Sequence, residues 1–238
     1  MNERDRLRRE MDELQRKYEK VTNKNEIAEL HEEVKKIDEG LTATQYFEIG
    51  EQKYEEKNYD EAIELNPKYM EAYNDRGLAY YKQGNLNQAI EDFTKAIELR
   101  PHHYAYNNRG LAYSKQGNLD QAIADYSKAI ECDPKLADAY GNLGNAHADQ
   151  GNLDQAISDY TKAIELDPNL EKAYNNRGII YKDKGNLDQA IKDYSEAIRI
   201  NLKYSSAYFN RGIAYYVQKN LDQAIEELSK ALDIDSKY

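Results

Sequence analysis

The 238-residue chain has one cysteine, four prolines, three phenylalanines and no tryptophan. A single cysteine excludes an internal disulfide framework and fits a reducing compartment, so a cytoplasmic location is expected. No apolar run approaches the roughly 18 residues of a transmembrane helix, and no membrane association is expected. The opening MNERDRLRRE is charged throughout and lacks the apolar core of a secretory signal. Positive charge is scarce: 33 Lys and Arg face 44 Asp and Glu, a formal charge of −11. A nucleic-acid or anionic-membrane surface needs a positive field, so no nucleic-acid partner is expected.

Histidine is scarce too. His31, His102, His103 and His147 form no H-x-x-x-H pair, and no C-x-x-C occurs. No metal site follows. No glycine-rich phosphate loop is present, so no cofactor is expected, and no nucleophile–base set stands out. The chain reads as non-enzymatic. His147 shares a repeat slot with Tyr113 and Tyr181 and is expected to pack between helices. His102 and His103 lie in a turn, where they should diverge. Cys132 takes the slot of Leu99, Leu166 and Ile200 and is expected to be a small buried hydrophobe.

What the chain does have is a repeat. Glycines at Gly77, Gly110, Gly144, Gly178 and Gly212 are separated by 33, 34, 34 and 34 residues. Alanines follow each glycine at Ala89, Ala122, Ala156, Ala190 and Ala224, and again at Ala96, Ala129, Ala163, Ala197 and Ala231. Pro101, Pro134 and Pro168 close three units. A repeat of this length is one supersecondary unit, and stacked units bury a continuous core. Within one unit, Tyr106, Arg109, Gly110 and Tyr113 fall at helical spacings. Gln116-Gly117-Asn118 then breaks the helix, with Gly supplying a left-handed end. A second helix sets Leu119, Ala122, Ile123, Tyr126, Ala129 and Ile130 on one stripe. The mid-helix Gly110 costs about 1 kcal/mol against Ala, which predicts close backbone approach between paired helices. Tyr106, Tyr113 and Tyr126 are expected to fill the wedge between units.

Residues 1–41 lie outside the repeat. Leu7, Met11, Leu14, Tyr18 and Val21 form one helical seam, and Ile27, Leu30, Val34, Ile37 and Leu41 form a second, out of phase with the first. Asn23 and Glu26 have capping-box spacing at the break. A helical hairpin is expected, serving as a cap, a coiled-coil dimerisation element or an added segment. Residues 43–67 then make a damaged repeat. Gly50 to Gly77 is 27 residues, seven short of 34, through a natural loss or an engineered one. Seven residues are about two helical turns, so a short helix is expected from about Tyr59 to Leu65. An alternative alignment pairs Tyr59, Ala62 and Ile63 with Tyr126, Ala129 and Ile130. The complete units begin near 70, 103, 137, 171 and 205.

The slots Tyr106, Arg109-Gly110, Tyr113, Ala122, Tyr126, Ala129 and Pro134 resemble the tetratricopeptide repeat, with Tyr where the family usually has Trp. The resemblance covers roughly residues 43–238. It implies an all-α, right-handed superhelical solenoid of antiparallel helix pairs with a concave peptide-binding groove, preceded here by the hairpin. It implies a protein–protein interaction scaffold that binds a peptide segment of a partner. The competing expectation is a self-assembling structural or designed module, a homo-oligomer formed through repeat ends or the N-terminal helices. Ile225, Leu228 and Leu232 are expected to leave an apolar face partly uncovered.

The resemblance also implies where a peptide would lie. Just before each glycine, Asn74-Asp75, Asn107-Asn108, Gly141-Asn142, Asn175-Asn176 and Phe209-Asn210 should face the groove. In superhelical members an Asn ladder at this slot holds a peptide's backbone. The expected peptide-binding residues are therefore Asn74, Asn107, Asn108, Asn142, Asn175, Asn176 and Asn210. The alternative is that these asparagines brace neighbouring repeats. Tyr81, Leu111, Ile179 and Tyr216 should add apolar contact. The carboxylate clamp of chaperone-binding members needs Lys where Asn74, Asn107, Gly141, Asn175 and Phe209 stand, so chaperone-tail binding is not expected. Arg76, Arg109, Arg177 and Arg211 occupy a slot where the family usually has Leu, which Leu143 keeps. Each has an acid 16 residues on, at Asp92, Asp125, Asp193 and Glu227, and pairs within units are expected.

Overall fold

The computed structural model describes residues 57–236, and the expected N-terminal hairpin lies outside them. Eleven helices and no strands occur among the described residues. The chain divides into two compact units, 1–76 and 77–238, with the boundary inside one helix.

In the first unit, α1 spans Tyr59–Leu65. It is the short helix expected there. Asn58 caps it, its side chain accepting from Glu61 N–H, and Ala62 is its buried residue. Helix α2 (Met70–Gln83) begins in this unit. Arg76 Nη1 donates to Asp60 Oδ1 at 2.7 Å.

The second unit repeats one plan. Its helices are α3 (Leu86–Leu99), α4 (His103–Lys115), α5 (Leu119–Cys132), α6 (Ala137–Asp149), α7 (Leu153–Leu166), α8 (Glu171–Asp183), α9 (Leu187–Ile200), α10 (Ser205–Val217) and α11 (Leu221–Asp235). Each helix packs on the next. The first helices of successive units also touch, α4 on α6 and α8 on α10. Between the helices of a pair, the chain turns through a left-handed residue. Gly117 has φ 80°, and Asn118 N–H reaches back to Tyr113 O at 2.9 Å, closing the last turn of α4. In the last unit Lys219 holds this conformation at φ 67°. A side chain there costs about 1 kcal/mol relative to glycine.

The core is a row of alanines and rings. Ala122, Tyr126 and Ala129 are buried on α5, and their equivalents on α7 and α9 are buried likewise. A Cβ on Gly110 would lie 2.7 Å from the Tyr126 ring, and one on Gly178 would lie 2.7 Å from the Tyr194 ring. The close approach expected at Gly110 is therefore made by a side chain of the paired helix, not by its backbone. Tyr126 reaches the next unit too, packing with Leu143 and Ala146. Burying such a ring contributes about 2–3 kcal/mol.

Candidate peptide-binding face

Arg109, Arg177 and Arg211 make the pairs expected within their repeats. Arg109 Nε and Nη2 donate to the two Asp125 oxygens, each at 2.8 Å. Arg177 does the same to Asp193 at 2.8 and 2.9 Å. Arg211 places Nε and Nη2 on Glu227 Oε2 at 2.9 and 2.6 Å. The hydrogen bonds that Arg109 donates to Asp125 hold the guanidinium proton more tightly than usual. Each arginine does more than the spacing suggested. Its Nη1 crosses to the preceding repeat, from Arg109 to Thr94, Arg177 to Thr161 and Arg211 to Ser195, all at 2.9 Å. Tyrosines flank the cation. The Arg109 guanidinium lies 5.9 Å from the ring centres of both Tyr106 and Tyr113, in cation–π range. Tyr106 and Tyr113 thus clasp an arginine, and Tyr126 forms the buried contact.

A second set of bridges joins the turns. Gln116 donates to Asn87, Gln150 to Asp120, Lys184 to Asp154 and Gln218 to Asp188, each in the preceding repeat, at 2.5–2.8 Å.

Asparagines form a third network on the face carried by α4, α6, α8 and α10. Asn107 and Asn175 are buried, with 8% and 4% exposure. Asn142 Nδ2 donates to Asn107 Oδ1 at 3.0 Å, and Asn210 Nδ2 to Asn175 Oδ1 at 2.9 Å. Asn175 Nδ2 donates in turn to Asn176 Oδ1 at 3.2 Å. In the middle repeat Gly141 offers no side-chain amide. Asn176 Nδ2 turns to Asn145 Oδ1 at 2.9 Å, and the Tyr160 hydroxyl donates to the same oxygen at 2.7 Å. Asn108, Asn142, Asn176 and Asn210 remain half-buried. In the first unit, Asn74 Nδ2 donates to Asp75 Oδ1 at 3.1 Å. Of the apolar residues expected beside the column, Leu111 and Ile179 are half-buried and Tyr216 is exposed. Tyr81 is half-buried, with Lys115 Nζ 4.9 Å above its ring. Neither Asn145 nor the Tyr160 hydroxyl was singled out from the sequence. The gap at Gly141 was their signal.

Two expectations are corrected and a third is extended. Cys132 is exposed. It ends α5, where the longer side chains of Leu99, Leu166 and Ile200 are only half covered, and its short side chain does not reach the core. His102 and His103 do not diverge; their rings stack with centroids 4.1 Å apart. His102 is the N-cap of α4 and its Nδ1 accepts from Tyr104 N–H, which turns its ring toward its neighbour. His147 does more than pack. Its Nδ1 lies 2.6 Å from Asp159 Oδ2. Burial pushes the Asp159 carboxyl above its ordinary value, against the opposing pull of His147.

Among the described residues no cluster of His, Cys, Asp and Glu could hold a metal ion. No helix among them is long and apolar enough to cross a membrane.

A family model described as TPR repeat matches residues 46–84, 110–151 and 179–219, more than half of the chain. A second, described as tetratricopeptide repeat, matches 71–103, 137–170 and 205–238. Tetratricopeptide repeat protein 14 of Mus musculus is 40% identical over 58 residues, 24% of this chain and 8% of that protein. Hsp70-Hsp90 organizing protein 3 of Arabidopsis thaliana is 47% identical over 53 residues, 21% of this chain and 10% of that protein. The chain thus spans about a tenth of the length of these curated relatives. Among solved structures, that of MamA aligns with a TM-score of 0.62 at 28% identity, covering 68% of this chain and 95% of that one. YrrB, described as a TPR protein with an unusual peptide-binding site, aligns at 0.60 and 24% identity, covering 76% and 93%.

Proposed function

The chain belongs to the tetratricopeptide repeat family, whose repeats serve protein–protein contact, and from that premise we propose that the face carried by α4, α6, α8 and α10 captures a peptide segment of a partner protein. The observation that carries this reading is the two-tier asparagine column. Buried Asn107 and Asn175 hold the amides of Asn142 and Asn210 in fixed orientation. An amide has two N–H donors and a carbonyl oxygen. One bond used for bracing leaves a donor and an acceptor, the pair that a peptide N–H and C=O require. Asn108, Asn142, Asn176 and Asn210 are the contact residues, and Asn107 and Asn175 are positioning residues behind them. Bracing and binding, alternatives at the level of sequence, become two tiers of one device. Leu111, Ile179 and Tyr216 flank the column and supply apolar contact.

The test is a peptide array probed with the full chain and with the Asn108→Ala/Asn142→Ala/Asn176→Ala variant. Peptides retained by the wild type and lost by a variant with unchanged helical circular dichroism support capture at this column. Equal retention by both chains sinks it and leaves the asparagines as braces between repeats.

A further inference from the structure

Gly141 is the one described glycine that the fold does not require. The others lie against a side chain of the paired helix or turn the chain at positive φ. Gly141 sits inside α6, where glycine weakens a helix relative to alanine. Its backbone is half-buried, yet a Cβ built on it would meet no atom within 4 Å. The space over it is open.

The neighbouring repeats show what this slot is shaped to hold. Asn107 and Asn175 occupy it there, and the fold leaves them 8% and 4% exposed. Each accepts from the asparagine 35 residues on, Asn142 and Asn210. Asn176 stands 35 residues after Gly141. With no side-chain acceptor in that slot it donates to Asn145 Oδ1 instead, as the Tyr160 hydroxyl does. The recess at Gly141 is thus a place that this fold twice fills with its own carboxamide.

The rim is polar. Asn145 lies one turn after Gly141 and Asp138 one turn before it, and residues so spaced are neighbours on a helix surface. Two donors already occupy the Asn145 oxygen, so Asn145 meets an occupant with N–H. Asp138 is exposed in the first turn of α6 and brings acceptor oxygens. A carboxamide matches both, with its C=O toward Asn145 and its NH2 toward Asp138. An aliphatic side chain would dehydrate both groups without pairing either. A carboxylate would meet Asp138, and an ammonium cannot accept from Asn145.

We propose that the recess at Gly141 selects a glutamine or asparagine in the captured peptide, the partner supplying the carboxamide that this repeat lacks. Such selection rests on peptide capture along the asparagine column and gives that capture its specificity.

The probe is a library of random peptides displayed on their own mRNA, selected in parallel on the full wild-type chain and on Gly141→Asn, which fills the recess from within. Both chains should melt alike or the variant higher, and Gly141→Ala should melt about 2–4 °C above wild type. On the wild type, Gln or Asn is expected at one aligned position at least about fivefold above its input frequency. On Gly141→Asn that enrichment should fall to within about twofold, while peptides are still retained. Peptides selected by both chains with no such position, or with the same enrichment in both, overturn the selection at Gly141 and leave capture at the column standing. Enrichment of Leu, Lys or Glu at a position that Gly141→Asn erases overturns the carboxamide assignment. Failure of either chain to select any peptide above background overturns capture itself, and the selection with it.

Discussion

The repeat at Glu171–Ile200 and the repeat at Ala137–Leu166 share a backbone plan, and among the slots at which their first helices differ, three set the joint to the preceding repeat. Asn175, Arg177 and Tyr181 in one are Gly141, Leu143 and His147 in the other. In the first, Arg177 fixes Asp193 in its own repeat, reaches Thr161 in the preceding one and sits about 5.7 and 5.9 Å from the rings of Tyr174 and Tyr181. In the second, Leu143 is buried against Tyr126 and Ala146, so the tie made from this slot to the preceding repeat is apolar. Asp159 then lacks an arginine, and His147, one helical turn beyond Leu143, serves it. Exchanging a buried ion pair for apolar packing is often close to neutral in stability, whereas removing one partner alone is not. The joint has therefore changed chemistry as a set, and the carboxylate kept a partner throughout.

The sharpest way to break this comparison is to delete the carboxylate from each repeat. Asp193→Ala leaves the Arg177 guanidinium largely buried between the Tyr174 and Tyr181 rings, bonded to Thr161 but without its carboxylate. Its expected cost is about 3 kcal/mol. Asp159→Ala leaves His147 without this hydrogen bond, and the loss costs about 1 kcal/mol. Urea unfolding followed by circular dichroism measures both. Equal losses would mean that His147–Asp159 is as indispensable as Arg177–Asp193, and the contrast drawn between the joints would fail.

A smaller effect tests whether the slots changed together. Leu143→Arg adds a cation beside an occupied carboxylate and removes the contact with Tyr126. His147→Tyr strands Asp159. Each single change is expected to cost about 1–2 kcal/mol, while the double variant, which rebuilds the set seen at Arg177, Tyr181 and Asp193, should fall within about 0.5 kcal/mol of wild type. Additive losses in the double-mutant cycle would show that the two slots are independent.

What the sequence made legible was whatever lies within one repeat. The starts near 70, 103, 137, 171 and 205 coincide with the first residues of α2, α4, α6, α8 and α10, because glycine, proline and the apolar stripe are local signals. The short α1 followed from counting between Gly50 and Gly77. The pairs from Arg109 to Asp125 and from Arg177 to Asp193 followed from a fixed offset across one hairpin. Contacts between repeats were legible only in kind, as bracing asparagines and wedged tyrosines, and not in their pairings. Arg177 to Thr161, Asn142 to Asn107 and Gln150 to Asp120 depend on how one hairpin seats on another, which no pattern inside a single copy encodes. The His147–Asp159 pair was missed although its signal was present. Leu143 and His147 depart from the repeat together, and reading each slot alone hid the exchange.

The smallest expected effect separates the two repeats by sign. Tyr160 and Tyr194 hold the same slot, each lying on a glycine of its first helix. Burial raises both phenols above their ordinary value, so both stay protonated and both hydroxyls seek an acceptor. Tyr160 finds Asn145 Oδ1. The Tyr194 hydroxyl is buried with no hydrogen-bond partner among the described residues, and Ile179 stands where Asn145 would be. A buried donor without an acceptor costs about 1–3 kcal/mol of desolvation. Tyr194→Phe removes that cost while keeping the ring against Gly178, and is expected to stabilise the chain by about 1 kcal/mol. Tyr160→Phe removes a bond and half of the anchoring at Asn145, and is expected to destabilise by about 1 kcal/mol. Because Asn145 also accepts from Asn176, the second substitution should loosen the asparagine column as well. Faster amide exchange in α8 with Tyr160→Phe but not with Tyr194→Phe would tie the column to the exchange of slots in the middle repeat. Losses of the same sign and size in both variants would mean that the two hydroxyls are equivalently solvated and that Gly141 alone rerouted the column.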